Sequence, residues 1–292
     1  MTTNKNPGIY VHIPFCVKKC NYCAFLSGSS DEALRERYVK ALCEEIRIRT
    51  RLMSDLAHGV FDTIFFGGGT PSLLTSEQTA RIIAELRVNF NIDSDAEITL
   101  ESNPATLSME SLKGYRNAGV NRLSMGVQSM DNDILRRLGR IHTAGDVIRD
   151  VQNAREAGFD NINLDLIFAV PGSSLETTLM DIEAVTGLEP EHISFYSLQL
   201  EEGTAFFKEF ERGEFTEVSD EIDRATYHAG AKFLKEKGYE HYEISNFSKH
   251  GYESRHNLKY WEMTPYLGLG LGASSFIDNN RIMNVCSLDE YF

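Results

Sequence analysis

The chain has 292 residues, of which 42% are hydrophobic and 25% are charged, and its formal net charge is -14. This composition is typical of a globular protein with enough apolar residues for one large domain or two smaller ones. No apolar run approaches the roughly 18 residues that a membrane span needs. An acidic chain also lacks the excess of Lys and Arg that nucleic acid binding requires. We therefore expect a soluble, cytoplasmic protein with no membrane span and no nucleic acid partner.

Six apolar runs alternate with helical patterns along the chain, and they are typical of buried or half-buried strands. The runs cover residues 9–15, 63–66, 98–101, 122–127, 162–168 and 193–200. Successive βα units with right-handed crossovers form a parallel sheet flanked by helices, either an open doubly wound sheet or a barrel. Six units predict an α/β fold built as an incomplete barrel, with functional groups at the carboxyl ends of its strands.

Three of the five cysteines lie within eight residues after the first run, namely Cys16, Cys20 and Cys23. Three closely spaced thiolates can hold a cluster of four irons and leave one iron without a protein ligand. A structural zinc site is the alternative, but it needs four ligands and would have to recruit His12, Cys43 or Cys286. A disulfide is disfavoured because the cysteine count is odd and no signal peptide is recognised.

A glycine cluster follows the second run, at residues 67–69, and is continued by Thr70 and Pro71. Glycines let the backbone approach a ligand and expose N–H groups to it. A tight βα turn is the alternative explanation, since glycine clusters are common in turns.

Polar side chains end or interrupt the next three runs, where an unpaired polar group costs several kcal/mol. These residues are Glu101, Gln128 and Asp165. Arg140 could pair with Asp165 or hold the carboxylate of a bound ligand, and the sequence leaves both roles open. His142 is interpreted as a member of a hydrogen-bond network rather than as a metal ligand.

Together, the cysteine run, the glycine turn and these polar residues resemble radical S-adenosylmethionine proteins of the coproporphyrinogen III dehydrogenase-like family, over nearly the whole chain. The resemblance implies a partial (β/α)6 barrel that is similar to a TIM barrel, with a 4Fe-4S cluster on the three cysteines. It also implies that S-adenosylmethionine binds the open iron and is cleaved to a 5'-deoxyadenosyl radical when an electron donor reduces the cluster. The cofactor site implied in this way comprises Tyr10, Tyr22, Gly68, Gly69, Thr70, Glu101, Gln128, Arg140, Asp165 and Gln199.

Two features are similar to the heme chaperone branch of that family. Phe25 stands where the dehydrogenase pattern has a further Cys, and residues 256–261, His-Asn-Leu-Lys-Tyr-Trp, resemble the heme motif of the branch. The resemblance implies heme as a further cofactor, with His256 as the ligand of its iron, and a heme-accepting protein as partner. The alternative for this motif is a structural turn in which Trp261 fills core space and His256 forms local hydrogen bonds.

The resemblance also predicts two regions, a core barrel over residues 1–205 and a family-specific C-terminal region over residues 206–292 that carries the heme-type motif. We expect this second region to be a partial, truncated extension, because relatives usually continue into a domain that covers the barrel mouth. Within it, Leu271 and Ser274 replace a Pro and a His of the family pattern.

Two classes of function follow from the resemblance. As a carrier, the protein would bind heme and pass it to an acceptor. As an enzyme, it would oxidise a tetrapyrrole side chain through the radical, as the coproporphyrinogen III dehydrogenase does. The sequence favours the carrier because of Phe25 and the motif at 256–261.

Overall fold

The structure, a computed structural model, describes residues 5–52 and 59–292. The rest of the predicted 1–205 region, residues 1–4 and 53–58, lies outside the described residues. The described strands are β1 (Gly8–Ile13), β2 (Val60–Gly68), β3 (Asn91–Ser102), β4 (Arg122–Gln128), β5 (Ile162–Phe168), β6 (His192–Ser197), β7 (Glu240–His241), β8 (Asn246–Ser248), β9 (Tyr266–Leu269), β10 (Ser274–Ile277) and β11 (Asn280–Met283). The described helices are α1 (Glu32–Leu52), α2 (Ser76–Asn89), α3 (Met109–Ala118), α4 (Asn132–Arg137), α5 (Ala144–Glu156), α6 (Leu175–Thr186), α7 (Ala205–Glu211), α8 (Asp220–Glu236), α9 (Arg255–Trp261) and α10 (Leu288–Tyr291). None of these helices combines the length and the apolar composition needed to cross a membrane.

Strands β1 to β6 pair with one another in chain order, and all of these pairs are parallel. Each lies at a predicted run, and β5 has the predicted bounds. β3 begins seven residues before the predicted start at 98, because Asn91 and Ile92 already pair with Val60 and Phe61. The predicted α/β fold is confirmed.

Two strands end earlier than the apolar runs that predicted them. β1 ends at Ile13, which pairs with Gly68, the last residue of β2. β6 ends at Ser197, which pairs with Phe168, the last residue of β5. In both cases the neighbouring strand has no further residue to continue the ladder.

Side chains along the central strands alternate between an apolar core and an internal cavity, because successive residues of a strand point to opposite faces. In β4, the residues Leu123, Met125 and Val127 are buried in the apolar core. The residues between them line the cavity, namely Arg122, Ser124, Gly126 and Gln128. The same alternation in β5 and β6 places six further residues on the cavity side, which are Asn163, Asp165, Ile167, His192, Ser194 and Tyr196. The parallel strands therefore form a partial barrel with a mostly polar interior.

The chain after residue 205 extends the same sheet at both edges. β9 is parallel to β1 and leads to β10 and β11, whereas β8 is antiparallel to β6 and pairs with β7. Helix α9 begins at the amino ends of the barrel strands, where the Glu97 carboxylate accepts the N–H groups of Arg255 and His256 at 3.1 Å each. The boundary between residues 205 and 206 stays a prediction.

The fully buried Tyr38 of α1 links three parts of the chain. Its hydroxyl donates to the His12 carbonyl at 2.8 Å and accepts from the Leu271 N–H at 2.9 Å. Gly270 has a φ of +98°, and a Cβ at this position would lie 2.6 Å from the His12 carbonyl oxygen. This close packing fixes the end of β1, from which the cysteine loop departs.

We expect Tyr38→Phe to lower the free energy of unfolding by about 1–3 kcal/mol, because the buried Leu271 N–H loses its acceptor. Urea denaturation measures the change. Tyr252→Phe, at a side chain that is 36% exposed, is the matched control and should change stability by no more than about 0.5 kcal/mol. Equal losses in the two variants would contradict the role assigned to the Tyr38 hydroxyl.

Candidate functional site

The cysteine loop, residues 14–29, connects β1 to α1 and is fixed at its base and at its tip. At the base, the Cys16 N–H donates to the Gly28 carbonyl and the Gly28 N–H donates to the Pro14 carbonyl, both at 2.9 Å. At the tip, the Asn21 N–H donates to the Leu138 carbonyl, between α4 and α5, at 3.0 Å. The loop therefore holds its thiols in a defined position over the carboxyl ends of the strands.

The predicted cluster ligands Cys16, Cys20 and Cys23 are free, half-buried thiols at the mouth of the barrel cavity, whose volume is about 530 Å³. Burial raises the pKa of Cys23. The Arg140 guanidinium lies 3.3 Å from the Cys20 sulfur, and the Thr70 hydroxyl lies 3.7 Å from the Cys16 sulfur. Three free thiols with polar donors beside them, facing a cavity, fit an iron-sulfur cluster that keeps one iron open to a ligand.

The cysteine loop packs directly on the glycine turn, which explains why glycine is needed there. Gly68 has a φ of +119°, and a Cβ on it would lie 2.6 Å from the His12 ring. A Cβ on Gly69 would lie 2.6 Å from the Phe15 carbonyl oxygen and 3.0 Å from the Cys16 sulfur. The turn is tight for reasons of packing, and it also lines the cavity.

We expected the N–H groups of the turn to face a ligand, but they donate hydrogen bonds to other groups of the protein. The Gly68 N–H donates to the Glu101 carboxylate at 3.1 Å. The N–H groups of Gly69 and Thr70 donate to the carbonyls of Ile13 and Phe15 at 2.9 and 2.7 Å. These bonds hold the cysteine loop against the turn.

Four polar residues that the sequence predicts for the cofactor site line the cavity together, namely Glu101, Gln128, Arg140 and Asp165. Arg140 donates to the Gly126 carbonyl at 2.6 Å and also to the Asn103 side chain. Among the described residues it forms no ion pair with Asp165. The pairing with Asp165 that was considered for Arg140 is therefore absent between these side chains, and a role of Arg140 in ligand binding stays a prediction.

Burial raises the pKa of both carboxyl groups in the cavity. For Glu101 the pKa is raised to about 8, first by burial and then by the charge of Asp165, although the Gly68 N–H opposes this rise. Burial also raises the pKa of Asp165, against hydrogen bonds from Ser194 and Asn163. A carboxyl group that is largely protonated near neutral pH can both donate and accept hydrogen bonds, which suits hydroxyl or amino groups of a polar ligand.

Tyr22 and Gln199 lie at the cavity mouth as predicted, whereas Tyr10 lies beside the cavity and is not among its lining residues. The Tyr10 hydroxyl donates to His12 Nδ1 at 3.0 Å, and His12 Nε2 donates to the Leu26 carbonyl at 3.0 Å. Both ring nitrogens of His12 are therefore engaged, which removes this residue as the fourth ligand of a zinc site.

His256 lies near the amino ends of the strands, at the end of the barrel away from the cysteines, and is 1% exposed. Its Nδ1 and Nε2 are hydrogen-bonded to the hydroxyls of Thr63 and Tyr260, at 2.8 and 3.1 Å. Burial lowers its pKa to about 3, so the ring is neutral. Its local hydrogen bonds match the structural alternative for the motif, but Trp261 does not fill core space, because it is 52% exposed.

Sequence analysis did not assign several polar residues of the cavity, among them Asn103, Tyr196 and Arg122. Asn103 donates to the Thr70 hydroxyl at 2.8 Å, and Tyr196 donates to Gln128 at 3.2 Å. The signal that could have found the strand residues is the alternation within β4 and β6, where every second residue faces the cavity. His142 belongs to the surrounding network as predicted, since its Nε2 is bonded to the Val127 carbonyl at 3.0 Å.

Comparison with known proteins gives one family and a consistent group of relatives. The family model described as the radical SAM superfamily matches residues 10–185. The heme chaperone HemW of Lactococcus lactis is 36% identical over 282 residues, which are 97% of this chain and 73% of the relative. The heme chaperone HemW of Bacillus subtilis is 38% identical over 283 residues, which are 97% of this chain and 74% of the relative.

Among solved structures, the coproporphyrinogen III oxidase HemN of Escherichia coli, described as a radical SAM enzyme, superposes with a TM-score of 0.85. The match has 27% sequence identity and covers 99% of this chain and 69% of that structure. The similarity therefore includes the barrel together with the strands added at its edges.

Glu101 should make stability fall as the pH rises. An unfolded Glu has a pKa of about 4.3, and the folded value is about 8, so between these values the folded state holds a proton that the unfolded state has lost. Stability is then fully present below the unfolded pKa and is lost as the pH rises through the folded one. We expect urea denaturation of the cofactor-free chain to show a flatter pH dependence between pH 5 and 8 for Glu101→Gln.

Glu44→Gln, at a side chain that is 56% exposed, is the control and should keep the pH profile of the wild type. Parallel profiles for the wild type and Glu101→Gln would show that the Glu101 carboxyl does not titrate in this range.

Proposed function

This chain belongs to the radical SAM superfamily, in the group that includes the HemW heme chaperones, and we propose that it is itself a heme chaperone. It binds a 4Fe-4S cluster, S-adenosylmethionine and heme, and passes the heme to an acceptor protein. The observation that carries the proposal is a three-thiol site and a heme-type motif in one chain that is 36–38% identical to two heme chaperones over 97% of its length.

The cysteine loop supports the assignment of Cys16, Cys20 and Cys23 as cluster ligands. Membership of the superfamily decides for a cluster over zinc, and the other two cysteines lie elsewhere: Cys43 is buried on α1, and Cys286 is exposed near the end of the chain. When bound, the cluster supplies one-electron chemistry to S-adenosylmethionine. An electron donor to the cluster is therefore a second expected partner, and the free thiols suit a reducing compartment such as the cytoplasm.

The polar side chains near the cavity mouth support the placement of S-adenosylmethionine in the cavity, next to the cysteine loop. Arg140, beside the Cys20 sulfur, can hold a carboxylate, and the Thr70 hydroxyl can contact the methionine part of the ligand. Glu101, Gln128 and Asp165 offer acceptors to ribose hydroxyls and to an amino group. Gly68, Gly69, Tyr22 and Gln199 complete the cavity mouth, and Tyr10 supports it through His12.

Heme binding through the motif at 256–261 requires a local change, because ligation of iron by His256 needs a free ring nitrogen. The Nε2 bond to Tyr260 is the more exposed of the two, since the Tyr260 side chain is 41% exposed and Thr63 is fully buried. We propose that His256 releases Tyr260 and binds the iron through Nε2 while Thr63 holds Nδ1. A neutral imidazole is the form that ligates iron, and the low pKa of His256 supplies it.

Cys20→Ala should abolish the iron-sulfur absorbance of the reconstituted protein, because three thiolates are the minimum protein ligand set of this site. Cys43→Ala is the matched control and should retain the cluster, since Cys43 packs in the apolar core. Iron content and the visible spectrum after anaerobic reconstitution measure both. Retention of the cluster in Cys20→Ala, or its loss in Cys43→Ala, would contradict the ligand assignment.

His256→Ala should remove the heme absorption band of the reconstituted protein in the presence of hemin, whereas His250→Ala, at a 90% exposed side chain, should retain it. His256→Gln tests whether a hydrogen-bonding but poorly ligating side chain restores the fold without the band. Circular dichroism and the cluster spectrum report whether each variant is folded.

The same samples should not convert coproporphyrinogen III to protoporphyrinogen IX under anaerobic, reducing conditions. Turnover would replace the chaperone with an enzyme of the coproporphyrinogen III dehydrogenase type. A heme band unchanged in His256→Ala would remove His256 as the iron ligand while leaving the rest of the proposal to other tests.

A further inference from the structure

Arg122 is a buried cation without a protein partner in the described part of the chain. Its side chain is 2% exposed, and it lines the barrel cavity. Its Nε is buried and has no hydrogen-bond partner, and no ion pair or hydrogen bond joins its guanidinium to another described residue. An unpaired buried charge is costly, so such a group calls for an anion that the described chain does not supply.

The backbone of Arg122 lies at the end of β4 that is opposite to the cavity mouth. It is the first residue of β4, and Gln128 at the cavity mouth is the last. Six residues of strand place their backbones about 20 Å apart. Asn163 is aligned with Ser124 of β4 and pairs with His192 of β6, so Arg122 lies below both of them and belongs to the floor of the cavity.

The polar neighbours of Arg122 on the floor are bonded to one another. Asn163 donates to Ser124 at 2.8 Å and to Asp165 at 2.7 Å, and its side-chain oxygen lies 2.6 Å from His192 Nδ1. Burial and the charge of Arg122 lower the pKa of His192, which is therefore neutral. These groups form a fixed frame around Arg122 and do not neutralise it.

The nearby carboxyl groups form no direct bond with Arg122 in the described part of the chain. Glu97 accepts two N–H groups at the start of α9. Burial raises the pKa of Glu101 and of Asp165, and the charge of Arg122 opposes this rise, but neither carboxyl group forms an ion pair or a hydrogen bond with Arg122 in the described part of the chain. The guanidinium of Arg122 is therefore left without a directly bonded anion among the described residues.

We propose that Arg122 anchors a carboxylate-binding site on the floor of the barrel cavity. A planar guanidinium with free N–H groups matches a carboxylate through two parallel hydrogen bonds. The carboxylate belongs either to a small organic acid or to a carboxylate side chain of a porphyrin, and this second source depends on the function proposed above. The site is distinct from Arg140, which lies at the mouth beside Cys20.

Sodium propionate is the probe, with propionamide as its uncharged counterpart, and the protein is the full chain with its cluster reconstituted. Propionate should bind by titration calorimetry and raise the melting temperature, whereas propionamide should do neither. Arg122→Gln should weaken propionate binding about tenfold or more, as expected for lost hydrogen bonds to a charged group, and Arg122→Lys should retain part of it. Arg116→Gln, on helix α3, is the matched control and should bind propionate as the wild type does.

Hemin and its dimethyl ester distinguish the two sources of the carboxylate. If the ligand is a porphyrin, Arg122→Lys should weaken hemin binding and leave the ester unchanged; if it is a small acid, only propionate binding should respond. Arg122→Lys keeps a cation on the floor and serves where Arg122→Gln does not fold. Equal propionate binding in the wild type and both variants, or no preference for propionate over propionamide, would overturn the proposal. If the heme band is absent or does not depend on His256, the result with propionate is unaffected. Each proposal can therefore be contradicted without the other.

Discussion

The site depends on the pair of hydrogen bonds that joins the glycine turn to the last residue of β1 and to the start of the cysteine loop. The N–H groups of Gly69 and Thr70 bond to the carbonyls of Ile13 and Phe15, and this approach is possible only because residue 69 has no side chain. The start of the loop that carries the thiols is thereby held against the residues that follow β2. Every further contact, from Thr70 to Cys16 and from Arg140 to Cys20, relies on that fixed position.

The sequence was sufficient to predict the strands and the cavity mouth, because both have a strong local signal. Apolar runs of strand length that alternate with helical patterns predict βα units, and polar residues at the ends of those runs predict a site there. The start of β3 could not be predicted, since its first seven residues are mostly polar and their place in the strand depends on the pairing of Asn91 and Ile92 with Val60 and Phe61.

The direction of individual groups was harder to predict than their presence. The N–H groups of the glycine turn point into the fold, and the hydrogen bonds that decide this come from Ile13 and Phe15, more than fifty residues away in the sequence. The floor of the cavity was missed for a related reason. Arg122 and His192 open strands that read as buried runs, and only the alternation of side chains along those strands distinguishes the interior of the barrel from the apolar core.

The use of the turn's N–H groups also determines how this region moves. Local opening of a protein occurs in cooperative units, and amide hydrogen exchange measures the free energy of each opening. The amides of Gly68, Gly69 and Thr70 cannot exchange unless Glu101, Ile13 and Phe15 release them. The turn and the base of the cysteine loop should therefore open as one unit, so that access of solvent to the backbone beneath the thiols is an all-or-none event.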